Sequence, residues 1–370
     1  MGEQLLLFNT ASQYALNTQL TLSSMAAKVF HIPLIATTPA FNLAAIVQRK
    51  PTDDNSAPNT YPEIRHYVDA TFLFEDASID IVVITTPPNT HFPLAAAALK
   101  AGKHVLVEKP FVPTAAEADQ LMQIAKESDR LICVYQNRRW DSDFLTFRAL
   151  QRDGKLGRIV DFESHFDRYK AMKPDTWKGQ LSMSEGGGVL YDLGTHLLDQ
   201  IVLSFGMPKS VTAIFKNERG EGEGAEPDAV KVILQYENGL SASANANVMA
   251  IDTAHLRFWV RGDKGTYKKY HLDCQEDQLK SGMVPGDRGF GVEDEKLSGD
   301  LTTLVDGKPV KNAYKNVEPE TYGALYKGFA EAIKKNKEEL VPVKASEARD
   351  VLRVIEAAKV SAKEGRTVAL

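Results

Sequence analysis

Cysteine is nearly absent from this chain: two residues, Cys133 and Cys274, occur in 370 positions. They stand far apart, and Cys133 lies inside the apolar run Leu131-Ile132-Cys133-Val134. A disulfide framework does not fit that usage, and a reduced, cytoplasmic setting is expected. No apolar run approaches the length of a membrane span, and Leu5-Leu6-Leu7-Phe8 lacks a basic lead and is too short for a signal core. An excess of positive charge is missing too. With a net charge of -5, the chain has no concentrated basic surface for nucleic acid or an anionic bilayer. Internal repeats, low-complexity tracts and a metal site are not read from the sequence either. What remains is an ordinary globular balance, 43% hydrophobic and 25% charged, in a chain long enough for two domains.

From about residue 40 strand-like and helix-like segments alternate, the grammar of a parallel sheet covered by helices. Strands are expected at 43–47, 79–85, 104–107 and 131–135. An alanine-rich helix is expected over 93–101, closed by Gly102, and another over 114–127, opened by a capping box of Thr114 and Glu117. This gives a doubly wound α/β domain ending near residue 136. Beyond it the pattern becomes α+β: a helix at 142–151, a strand at 159–166, and a helix from Gly188 to about Phe205. Antiparallel strands follow, punctuated by Asn238-Gly239 and by Gly262-Asp263-Lys264-Gly265. An open, mostly antiparallel sheet is the expected result. Residues 217–228 read as a solvated hairpin loop, and 275–300, with five glycines, as a surface loop or a lid. Two apolar stripes, Tyr322, Leu325, Tyr326, Phe329, Ile333 and Val351, Leu352, Ile355, Ala358, read as core helices.

Two segments carry chemistry. In Val105-Leu106-Val107-Glu108-Lys109-Pro110 a buried strand delivers a lysine at its exit, and the following proline restricts that lysine to extended conformations. In Gly186-Gly187-Gly188-Val189-Leu190-Tyr191-Asp192-Leu193-Gly194-Thr195-His196 a helix carries an aspartate and a histidine on one face, four residues apart. Lys109, Asp192 and His196 together form an acid/base trio able to move a hydroxyl proton. A lysine before proline at a strand end is otherwise a solvated terminus, and a helical histidine otherwise a packed one. The three glycines suggest close approach of backbone to a substrate, against the plainer reading of a flexible helix lead-in.

These segments, with Thr85-Thr86-Pro87-Pro88-Asn89-Thr90-His91, resemble the glucose-fructose oxidoreductase and inositol dehydrogenase family, Gfo/Idh/MocA. The likeness runs from about Lys28 to the C-terminus. Gln136 to Phe144 and Phe166-Asp167-Arg168-Tyr169 look most like its branch of NADP-dependent scyllo-inositol dehydrogenases. The resemblance implies a Rossmann dinucleotide-binding domain over 1–136 and a substrate-binding and oligomerisation domain over 137–370; a homo-oligomer, a dimer, is expected because an exposed face of an open sheet commonly pairs with a copy of itself. It implies an oxidoreductase acting on a secondary hydroxyl or ketone of a small polyol or sugar. By the same resemblance Thr86, Pro87, Asn89, His91 and Asn137 line the cofactor groove, Glu108 and Lys109 lie beside the nicotinamide ribose, and Lys109, Asp192 and His196 react. Arg168, Tyr169 and Trp177 line the polyol pocket by analogy with the branch; ordinary packing and ion pairing are the alternative for Arg168 and Trp177.

One expected feature is missing. The family's first strand and Gly-x-Gly-x-x-Gly turn should precede Lys28, yet Leu22, Ser24 and Ala27 stand where the glycines belong. Residues 16–22 form at best a poor first strand, leading into Ser23, Ser24, Met25 and Ala26, whose backbone amides still face a phosphate at a helix start. At the end of the second strand Arg49 and Lys50 replace the acidic residue that would hold an NAD ribose, which favours NADP over NAD. The degraded turn leaves two other readings open: a non-catalytic dinucleotide-sensing regulator, and a cofactor-blind member of the same fold.

Overall fold

The computed structural model describes residues 16–21, 26–53, 55–220, 222 and 225–370. Six strands form a wholly parallel sheet: β1 (Leu16–Thr21), β2 (Phe41–Val47), β3 (Arg65–Tyr67), β4 (Ile81–Ile84), β5 (His104–Val107) and β6 (Ile132–Val134). Their order is β3-β2-β1-β4-β5-β6. The chain reverses direction of travel across the sheet between β1 and β4, and the crevice at such a switch point is where this architecture takes a dinucleotide. β4 is buried at every position, as expected for a strand covered on both faces. The poor first strand is therefore a real one, and it is central. Its pairing with β2 carries a register shift at Thr18/Gln19.

The expected helices form at His91–Lys100 and Ala115–Glu127, the latter with a complete Thr114/Glu117 capping box. Gly102 closes the former at φ +76, a conformation open to glycine without penalty. The first helix is irregular. It begins as a π turn over Ala27–His31 and tightens into Ile32–Ala36.

The second sheet has nine strands: β7 (Ile159–Asp167), β8 (Ser210–Lys216), β9 (Ala229–Gln235), β10 (Ser241–Asn247), β11 (Leu256–Gly262), β12 (Gly265–Tyr270), β13 (Gly299–Val305), β14 (Lys308–Tyr314) and β15 (Val368–Ala369). The order is β14-β13-β12-β11-β7-β10-β9-β8-β15, antiparallel except where β10 pairs with β7. One face packs on the helix Thr195–Phe205 through Phe162 and Phe166; the other carries Glu163, His165 and Trp259. The helix Ala345–Glu364 packs on Ala115–Glu127, on Thr195–Phe205 and on β8, so it joins the two sheets. Both apolar stripes predicted for the C-terminal third are core.

The loop expected at 275–300 is a more ordered segment. It contains the helix Gln275–Lys280 and a short turn at Glu295–Leu297, and β13 begins at Gly299. Gln275 anchors it by donating to Trp140 O at 2.9 Å and accepting from the Tyr322 N–H at 2.9 Å. Both cysteines are free. No helix among the described residues is long and apolar enough to cross a membrane, and no group of metal-ligating side chains was found among them.

Candidate active site

β5 ends at Val107, so Glu108 and Lys109 emerge at the carboxyl edge of the parallel sheet. The two side chains diverge. Glu108 turns inward: its Oε1 lies 2.9 Å from His31 Nε2, and its Oε2 accepts from the Lys109 N–H at 2.9 Å. His31 meets Tyr326 OH at 2.5 Å through Nδ1 and lies against the Tyr135 ring. Burial would raise the Glu108 carboxyl, but His31 and Lys109 outweigh it and leave the group below its ordinary value. Both oxygens of Glu108 thus have a partner within the protein, and the residue braces Lys109 from behind.

Lys109 reaches across to the second domain. Its Nζ donates to the main-chain oxygen of Asp192 at 2.7 Å and to Oδ1 at 3.1 Å. Asp192 lies on a π turn, Leu190–Gly194, that runs into the helix Thr195–Phe205. Such turns place side chains out of the α-helical register and are frequent at functional sites. The Asp192 carboxylate is fully subscribed: Arg168 Nη2 donates to Oδ2 at 3.0 Å, and Lys178 Nζ lies 3.6 Å from Oδ1. Burial works to raise its pKa, but Lys109, Lys178 and Arg168 prevail and hold it well below the carboxylate range.

His196 is buried, stacked on Phe166 at 6.4 Å between centroids, and its Nδ1 has no hydrogen-bond partner. Thr195 Oγ1 beside it and Arg168 Nε are also buried without partners. Burial, then the charges of Lys109 and Arg138, push the imidazole well below its usual pKa. A neutral ring with a free nitrogen can give or take a proton. Lys109 is also lowered, chiefly by burial and in part restored by Asp192. The expectation that Asp192 orients or balances one partner resolves toward Lys109, since both carboxylate oxygens are held by cations. An unpaired buried donor or acceptor costs about 1–3 kcal/mol, and the free Nδ1 of His196 suits a hydroxylated ligand.

The remaining predicted residues divide. Thr86 and Pro87 are half-buried at the end of β4, with the Thr86 hydroxyl accepting from Thr90 at 2.6 Å. Asn89 is exposed and touches Glu185. His91 does not line a groove. It is fully buried, with Nε2 2.8 Å from Thr86 O and Nδ1 near Pro110 O and Phe111 O, so it ties the two loops together. Asn137 is buried in the turn Asn137–Trp140. Arg49 is exposed at the end of β2, while Gln48 turns inward to hold Asn55 and Ala57. Ala26 begins the first helix; Ser23, Ser24, Met25 and Leu22 lie outside the described residues. Tyr169 is half exposed, bridged to Met249. Trp177 starts a short helix, and the ammonium of Lys178 lies over its ring.

Within the glycine run, Gly186 and Gly187 are required by packing. Gly186 adopts φ +82 with a would-be Cβ 2.9 Å from Pro88, and at Gly187 it would stand 2.2 Å from Leu181 O. Sequence reasoning missed Lys178, Lys170, Arg138 and Glu276. Lys178 directly follows Trp177, and that adjacency was the one available signal; Glu276 pairs with Arg138 from a segment read as loop.

The comparisons with known proteins identify the family. Residues 23–136 match GFO_IDH_MocA, described as the oxidoreductase family, NAD-binding Rossmann fold, and residues 148–370 match its C-terminal alpha/beta domain. YdgJ of Escherichia coli, an uncharacterized oxidoreductase, is 39% identical over 347 residues, covering 93% of this chain and 96% of its own length. IolW of Bacillus subtilis, a scyllo-inositol 2-dehydrogenase (NADP(+)), is 33% identical over 347 residues, covering 94% and 93%. The solved structure of yvaA from Bacillus subtilis superposes with a TM-score of 0.88 at 31% identity, over 96% of this chain and 98% of that one.

Proposed function

Because this chain belongs to the Gfo/Idh/MocA oxidoreductase family, we propose that it transfers a hydride between a nicotinamide dinucleotide, preferably NADP, and a secondary hydroxyl or matching ketone of a cyclic polyol or sugar. The observation that carries the reading is the meeting of Lys109 with Asp192, whose charges both act on a buried His196 with an unpartnered Nδ1. Exposed Arg49 at the end of β2 and the NADP(+) named for IolW support the cofactor choice.

The residues present fit a nicotinamide at this end of the crevice. Lys109 stands at the carboxyl edge of β5, Thr86 and Pro87 stand at the end of β4, and the unpartnered Nδ1 of His196 is open to a substrate hydroxyl. When bound, nicotinamide supplies the hydride acceptor or donor. The chain does the rest. In the oxidative direction Lys109 or His196 takes the hydroxyl proton, and in the reductive direction the same group returns it. A depressed pKa brings Lys109 nearer working pH, where such transfers are efficient, and it keeps His196 neutral and open to a proton. Asp192 keeps Lys109 in place and balances its charge.

A panel of inositols, inososes and sugars, assayed by nicotinamide absorbance with NADP+ and NADPH, tests the proposal; turnover of at least one member is expected, and none on any member would contradict it. The same reading includes a homodimer through the open face of the second sheet, where Trp259 lies between Arg261 and Lys268. Sedimentation equilibrium should return twice the chain mass, and a monomer at micromolar concentration would rule the dimer out.

A further inference from the structure

The charge around Asp192 is far from balanced. Lys109, Arg168 and Lys178 all address this one carboxylate. Lys170 is near enough to Arg168, Lys178 and Lys280 for their charges to depress its amine, with Arg168 the largest cause. Glu276 is already shared between Arg138 and Lys280. Arg138 and Lys280 are further matched by Asp141 and Asp277, but on Asp192 three cations meet one carboxylate, with Lys170 a fourth beside them, in a chain whose net charge is -5. Like charges held together are unfavourable unless something of opposite sign completes them.

The cations are also held in position. The Lys170 N–H donates to Val248 O at 2.8 Å, and its carbonyl accepts from Arg219 at 3.1 and 2.8 Å. The lysine backbone is therefore pinned beside Arg168. Arg168 fixes one arm on Asp192 and leaves its Nε–H buried and unpartnered, an oriented donor of the kind that meets carboxylate or phosphate oxygens. The phosphates of a dinucleotide do not account for this group. In a doubly wound fold they would be received at the start of the first helix, whereas these cations surround Asp192.

We propose that the substrate itself is anionic, a polyol or sugar bearing a carboxylate or a phosphate, whose charge is received by Arg168, Lys170 and Lys178. This deepens the function just proposed and rests on it for the identity of the site. Binding such an anion would also raise the pKa of Lys109 by linkage, so the substrate's own charge would favour the protonated lysine that ketone reduction needs.

Calorimetric titration with D-glucose, D-glucuronate and D-glucose 6-phosphate, on protein with and without saturating NADP+, tests the inference. At least one charged sugar should bind ten-fold or more tightly than glucose, and the identity of the winner separates carboxylate from phosphate. The preference should fall at least five-fold in the double variant Lys170→Met/Lys178→Met, two exposed positions where folding is not at stake, and return in Lys170→Arg/Lys178→Arg. Equal or tighter binding of glucose overturns the inference, as does a preference untouched by the methionine pair. Preference for a charged sugar in protein that binds no NADPH would keep the anion site and remove the dehydrogenase, so the two failures are distinguishable.

Discussion

At the scale of the residue, the chemistry depends on Lys109 being held without being neutralised. Its ammonium shares Asp192 with two other cations, and burial lowers its pKa. Lys109→Met should lower kcat by about 10²–10⁴-fold, the usual worth of a positioned acid or base, while NADPH affinity stays within a few-fold; unchanged turnover would remove Lys109 from the mechanism. The pH profile follows from the sign of its shift. Alcohol oxidation needs an uncharged amine, so kcat/KM should rise with pH to a plateau reached below the ordinary lysine range, and that limb should vanish in the methionine variant. Lys109, Asp192 and His196 were legible because motif and spacing identify them before any contact is known. Their convergence was not: Arg168, which the family resemblance had implied, and Lys178, which it had not, meet Lys109 on one carboxylate from separate stretches of chain, and nothing local in sequence encodes that meeting. His91 shows the opposite error: a polar residue beside a recognised turn was read as groove lining, and its ring is spent on backbone carbonyls.

At the scale of the element, segments with strong local signals formed as read. Thr114 and Glu117 cap their helix, Gly102 and Gly365 close theirs in left-handed conformations, and β5 spans the predicted residues. Elements with weak local signals were harder to read. The π turn at Leu190–Gly194 has no periodic signature distinct from an α-helix. The strand Leu16–Thr21, read only as a poor one, lacks the apolar run of a buried strand, and its place is fixed by pairing to β2 and β4 on either side. The helix Gln275–Lys280 is short and charged, and is held by tertiary contacts, chief among them Glu276 with Arg138. That contact has a pH signature. Although burial opposes it, Arg138 and Lys280 bring the Glu276 carboxyl to about 2 from an ordinary 4.5. A depressed acid stabilises the fold above its unfolded pKa and loses that contribution as pH falls toward the folded one. Glu276→Gln should therefore melt below the parent at pH 6, and the gap between the two melting temperatures should narrow at pH 3. A gap that stays constant would show the ion pair to be incidental.

At the scale of the whole molecule, the two sheets are joined by buried charge as well as by the helix Ala345–Glu364. Arg139 donates to both oxygens of Asp199 at 2.8 and 2.7 Å and to Glu347 at 2.6 Å. It thereby links the turn after β6 to the helix behind the reacting cluster and to the C-terminal helix. Arg139→Met strands Asp199 in the interior and should cost roughly 3–5 kcal/mol, the usual penalty for unpairing a buried charge; a chemical denaturation midpoint close to the parent's would contradict this. Architecture was the most legible level, since alternating strands and helices give way to antiparallel punctuation along the chain. The measurement that bears most directly on the central claim is a fluorescence titration with NADPH and NADH. Saturable NADPH binding in the micromolar range, at least ten-fold tighter than NADH, is expected, and no saturable response to either nucleotide would contradict the account.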